Sequence, residues 1–203
     1  SSGGSMNTAR EKLAGNGTQT AALAIGGEIP PTLYDNTESY NGSSWTEVAD
    51  LNTARSQLRS GGTSTSAVAF GGRTPSNTAI TESWNGSAWT EVSDLNTARQ
   101  RHAGAGTDNT SAIAFAGVNP AGPPLGVTET WNGSSWTEVA DLNQGRYDLA
   151  GNGLATAALA YGGQGPSPVY ALTESWNGSS WTEVNDLNSA RKQMASSERQ
   201  HRQ

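Results

Sequence analysis

Two glutamates recur in register four times along the chain. The pairs are Glu38/Glu47, Glu82/Glu91, Glu129/Glu138 and Glu174/Glu183, each followed by an aspartate such as Asp94. Two carboxylates a few ångströms apart are the acid and base of glycoside hydrolysis. A catalytic pair has no need of four copies, however, and repeated carboxylates are more simply read as structural ion pairs. Their partners are at hand: Arg10, Arg55, Arg99, Arg146 and Arg191 recur in the same frame, at intervals of 45, 44, 47 and 45 residues. These arginines could ring an anion, but planar guanidinium groups at repeat junctions suit interface carboxylates, and pairing between units is the reading adopted.

Histidine and cysteine add little. His102 replaces a leucine found at Leu13, Leu58 and Leu149, the only other histidine is His201, and there is no cysteine. That excludes disulfides and thiolate centres and argues against a histidine metal site. Residues 35–38, Asp-Asn-Thr-Glu, offer oxygen ligands of the kind calcium takes, but the other units lack the Asp-Asn. The expectation is no metal, no cofactor, no catalytic residue and no enzymatic activity.

The elements that carry these residues are repeats. The stretch 81–99 returns with little change at 37–55, 128–146 and 173–191. A period of this length with strand signals indicates a propeller or solenoid. Each unit holds four strand-like pieces. The first is rich in Gly and Ala. The second alternates Ala with a large apolar residue and ends in a small pair. The third ends in an aromatic, Tyr40, Trp84, Trp131 or Trp176. The fourth opens on Trp45, Trp89, Trp136 or Trp181. An Asn-Gly pair, a strong hairpin signal, separates the last two in every unit. Exposed tryptophan pairs could stack on sugars, but repeat-invariant aromatics are read as packing.

The glycine doublets beginning at Gly26, Gly71 and Gly162, the third-strand aromatic, the four tryptophans and the junction residues Arg55, Arg99 and Arg146 together resemble the kelch repeat. Ala116 departs from it in the third unit. Kelch domains and the central domain of galactose-oxidase-like proteins are β-propellers with one repeat per blade and the first strand innermost. The resemblance covers roughly residues 6–191. It implies an all-β fold of four-stranded antiparallel blades at about 6–50, 51–94, 95–141 and 142–186, in one domain over 6–190. Residues 1–5 read as a linker or cloning scar, and 191–203 as a tail resembling the start of a further repeat. A closed four-bladed ring, an eight-bladed ring from two chains, and a longer parent array all fit. Copper chemistry does not carry over, because it requires a Tyr–Cys crosslink and histidine ligands.

The net charge of −6 and the lack of a basic patch argue against nucleic acid. Apolar runs such as 21–25 are too short to span a membrane. The localisation is left unassigned, with a lean toward an extracellular or virion surface. Four segments between the second and third pieces vary most: 28–36, 73–80, 118–127 and 164–172. Antiparallel order places them at one end of the propeller, and variety on a rigid scaffold is where recognition usually lives. The expected function is a non-enzymatic binding or structural propeller that docks a protein or glycan through Tyr34, Asp35, Arg73, Asn119 and Tyr170. The expected state is a monomer or a ring-forming homodimer. The alternatives are a lectin-like or carbohydrate-processing propeller, or an engineered repeat protein without a natural partner.

Overall fold

The computed structural model describes residues 4–119 and 122–194. Most of the tail and the first three residues of the expected linker lie outside that range. Among the described residues there is no helix, and the strands form four separate four-stranded antiparallel sheets. Blade 1 comprises β1 (Ala14–Thr18), β2 (Ala21–Ile29), β3 (Thr32–Tyr40) and β4 (Trp45–Glu47). Blade 2 comprises β5 (Arg59–Gly62), β6 (Ala67–Phe70), β7 (Thr81–Trp84) and β8 (Trp89–Val92). Blade 3 comprises β9 (Ala103–Asp108), β10 (Ser111–Phe115), β11 (Thr128–Trp131) and β12 (Trp136–Val139). Blade 4 comprises β13 (Ala150–Leu154), β14 (Ala157–Tyr161), β15 (Thr173–Trp176) and β16 (Trp181–Val184). Each sheet is a meander in sequence order, and the first strands lie side by side, β1 by β5, β5 by β9 and β9 by β13. This is a β-propeller architecture with the small first strands innermost.

The alternation in each second strand explains the stacking. Its large residues point forward and its alanines backward, because successive side chains of a strand face opposite ways. Leu23 and Ile25 of blade 1 pack on Ala67, Ala69, Trp84 and Trp89 of blade 2. Val68 and Phe70 meet Ala112, Ala114, Trp131 and Trp136 of blade 3. Ile113 and Phe115 meet Ala158, Ala160, Trp176 and Trp181 of blade 4. Alanine leaves room for the indoles, and Phe70 meets Trp136 edge-on at 5.0 Å, as Phe115 meets Trp181 at 4.9 Å.

The two end faces lack such cover. Leu159 of blade 4 is 40% exposed, whereas its counterparts Leu23, Val68 and Ile113 are buried. On the opposite face of blade 1, Tyr40 and Trp45 are half-buried, although Trp84 and Trp89 are buried. Residues beyond β16 still follow the repeat. Leu187 and Arg191 donate backbone N–H bonds to Ala171 and Tyr170, and Gly163 donates to the Arg191 carbonyl at 2.9 Å. Leu51, Arg55 and Gly27 do the same at the first internal junction.

The Asn-Gly turns differ from a two-residue hairpin with left-handed backbone at both positions. Only the glycine, Gly42 in blade 1, has positive φ. Asn41 instead accepts backbone bonds from Ser43 and Ser44 on its side-chain oxygen. The first residue of each small doublet is left-handed, Gly26 at φ 61°, and Ala116 adopts the same conformation at φ 63° despite its Cβ.

Candidate functional site

One glutamate of each pair and four of the five junction arginines are engaged at the blade junctions; Arg191 is exposed and, among the described residues, forms no ion pair, unlike the other four. Arg10, Arg55, Arg99 and Arg146 pair with Glu38, Glu82, Glu129 and Glu174 at 2.5, 2.5, 2.9 and 2.5 Å, and all eight side chains are buried. The second oxygen of Glu82 accepts bonds from the backbone and side-chain nitrogens of Asn52, each at 2.7 Å. Asp94 accepts the backbone N–H of Thr81 at 3.0 Å. The recurring Asp-Leu-Asn…Arg motif thus caps one blade, buries a leucine and ties down the third-strand glutamate of the next. The other glutamate of each pair, such as Glu91, sits directly across the sheet and is exposed. Glu38 is turned to Arg10, so it does not gather with the exposed Asp35 around an oxygen-ligand site.

His102 packs against Phe70 with ring centres 5.7 Å apart and is fully buried. Burial, aided by the charges of Arg99 and Arg59, holds its imidazole well below the usual histidine range, so it is neutral. It replaces a core leucine in shape and in charge.

What is left for chemistry lies at the end that carries the variable segments. Each of these segments starts beside the axis, where Glu28, Arg73, Val118 and Gln164 bridge to Glu11, Ser56, Gln100 and Tyr147. Each then runs outward and is pinned to the next junction, as when Arg55 donates its N–H to Tyr34 and Arg99 to Thr78. The first segment is no open loop: β2 and β3 extend through it as a hairpin, pairing Gly27 with Tyr34 and Ile29 with Thr32.

At the centre is a cavity of about 740 Å³. Its wall includes Lys12, Gln57, Arg101, Asp148 and Gln193, which occupy one equivalent position after each junction arginine. They are linked in series by backbone bonds, Gln57 to Lys12, Arg101 to Gln57, Asp148 to Arg101 and Gln193 to Asp148, and all have positive φ. Scaffold geometry repeats here while the side chains do not. A smaller groove of about 300 Å³ adjoins it, lined by Val118, Pro123, Pro124, Pro166 and Tyr147. Arg101 forms part of its wall, with its guanidinium 4.5 Å from the centre of the Tyr147 ring.

All five residues singled out in the sequence lie at this end, but they do not converge. Arg73 lines the cavity, held by Glu28 at 2.7 Å. Tyr34 and Asp35 belong to β3, one strand further from the axis, and Tyr170 leads into β15. Tyr34 and Tyr170 are half-buried, whereas Asp35 and Asn119 are exposed. Sequence reasoning missed Lys12, Arg59, Arg101, Tyr147 and Asp148. The available signal was departure from the repeat: Arg59 stands where the other blades have Ala14, Ala103 and Ala150.

No protein-family model and no curated protein sequence matches the chain.

Proposed function

We propose that this is a kelch-type propeller that acts as a non-enzymatic binding module and recognises a protein or glycan through the end that carries the variable segments. One observation carries the reading. The repeated arginines, third-strand glutamates and tryptophans are largely engaged within and between blades, whereas Lys12, Arg59, Arg73, Arg101 and Asp148, which differ from blade to blade, line the axial cavity, and a proline-lined groove adjoins it. A rigid scaffold with variety at one end is the arrangement expected of recognition. Proline at 123, 124 and 166 limits the entropy lost on binding, and Tyr147 supplies aromatic contact area.

The test is a glycan array and a displayed-protein library, each probed with the full chain and with a variant whose four variable segments are replaced by one short common turn. The wild type is expected to select a defined set of ligands, and the variant to keep its melting temperature and lose them. Unchanged selection by the variant would overturn the face assignment. Turnover of an arrayed glycan would overturn the non-enzymatic reading.

A further inference from the structure

The axial cavity breaks the repeat in charge as well as in sequence. Lys12, Arg59, Arg73 and Arg101 all line it, in a chain whose net charge is −6. Three of these cations are matched. Lys12 meets Glu28 at 2.5 Å and Glu11 at 3.3 Å, Arg73 meets Glu28, and Arg101 grips Asp148 through two of its nitrogens. Arg59 is the exception. Among the described residues it forms no ion pair, and its guanidinium donates to the neighbouring Leu58 carbonyl at 3.1 Å. Asp148 is the carboxylate whose field reaches it, but that group's oxygens are already engaged by Arg101 and by Gln164. Arg59 also lines the deeper channel of about 530 Å³ between the inner strands, so it lies where the mouth meets the channel.

An arginine has five N–H donors in a rigid fork and no means of losing its charge. Placed on the innermost strand, half-buried in the cavity wall and without an ion-pair partner among the described residues, it leaves most of those donors open toward the cavity. Burial holds its guanidinium below the ordinary arginine value, and Asp148 opposes this. An innermost strand has no structural use for such a group, since the other three blades fill the place with alanine.

We infer that Arg59 is the anchor of an anion site in the axial cavity, which takes a ligand bearing a carboxylate or a phosphate group. Glu11, Glu28 and Asp148 offset Lys12, Arg73 and Arg101, so the unpaired Arg59 is the positive charge left to draw such a group inward. Arg59 then closes on it with the paired hydrogen bonds that guanidinium makes to oxyanions. This site shares the axial cavity and Arg73 with the loop-face reading but rests on Arg59, which lies in no variable segment, so it would hold a small anion even if those segments bound nothing.

The test uses the full chain and two probes, inorganic phosphate and acetate, titrated calorimetrically at low ionic strength. One saturable site is expected for at least one probe, and the preference between them tells a phosphate site from a carboxylate site. In Arg59→Ala the affinity should fall about tenfold or more, as for loss of a charge-assisted bond. Because alanine is the residue the other blades carry, this variant should keep or raise the melting temperature. Arg191→Ala, which removes an exposed arginine away from the cavity, should change nothing. No saturable binding of either probe to the wild type, or equal binding to Arg59→Ala, would overturn the assignment.

Discussion

The indole nitrogen of Trp136 donates to the hydroxyl of Thr81, one blade back, at 3.0 Å. Trp89 and Trp181 make the same bond to Thr37 and Thr128, so each internal interface carries an apolar contact and a polar clasp on one side chain. Trp136→Ala should cost about 3–5 kcal/mol, as for large aromatic truncations in a core. Thr81→Val, which keeps the shape and removes the acceptor, should cost about 1–3 kcal/mol, because the indole N–H is then buried without a partner. Urea unfolding of both single variants and of the double variant should show coupling. A loss below about 1 kcal/mol for Trp136→Ala would mean that the indole is not packed as described.

The two glutamates of a pair should behave as opposites. Glu82 is buried against Arg55, whereas Glu91 is exposed across the sheet. Glu82→Gln leaves a guanidinium buried without its counter-charge and should destabilise by about 3–5 kcal/mol. Glu91→Gln should change stability by less than about 0.5 kcal/mol. Equal effects in thermal unfolding would separate the carboxylates' role from the ion pair.

Much of the architecture was legible because the repeat states each structural demand four times. The Ala/large alternation gave the blade faces, the Trp positions gave the interfaces, and the Arg and Glu registers gave the ion pairs. The cavity was harder to read, since a repeat signal draws attention to what recurs, and Lys12, Gln57, Arg101 and Asp148 share a backbone position without sharing a chemistry. Arg59 lay in a segment whose small residues marked it as an inner strand, and its size relative to Ala14 was the overlooked clue. The segment at 28–36 shows how variety hides regular structure: Pro30 and Pro31 occupy the turn of an extended hairpin and leave the pairing of Ile29 with Thr32 intact.

Equivalent positions at the end and in the middle of the stack should respond differently. Leu159 and Ile113 hold the same place in their blades, but Leu159 is 40% exposed and Ile113 is fully buried. Ile113→Asp puts a charge into a closed interface and should prevent folding at ordinary temperatures. Leu159→Asp should leave the melting temperature within a few degrees and raise solubility, because it breaks up an exposed apolar face. A large loss of stability in Leu159→Asp would show that this face is covered in solution.

Glu28 sits at the rim of the cavity, 2% exposed, and joins blade 1 to blade 2. Burial alone would raise its carboxyl, but hydrogen bonds from Lys12, Ser56 and Arg73 outweigh that and hold it at about 2, against an ordinary value of 4.5. The bonds are short, 2.5 Å from Lys12, 2.6 Å from Ser56 and 2.7 Å from Arg73. A carboxyl whose pKa is lower in the folded state than in the unfolded one stabilises the fold in its charged form. The contribution is therefore complete above about pH 4.5 and is lost as the pH falls toward 2. Half-exposed Lys12 weakens it through solvent screening, leaving on the order of 2 kcal/mol at neutral pH. Glu28→Gln should thus be less stable than wild type by that amount at pH 7, and the gap should close through the acid range as the wild-type carboxylate takes up its proton. Denaturant midpoints of the two proteins across that range would check it. A gap that stays constant down to pH 2 would show that Glu28 does not hold its charge through these three bonds.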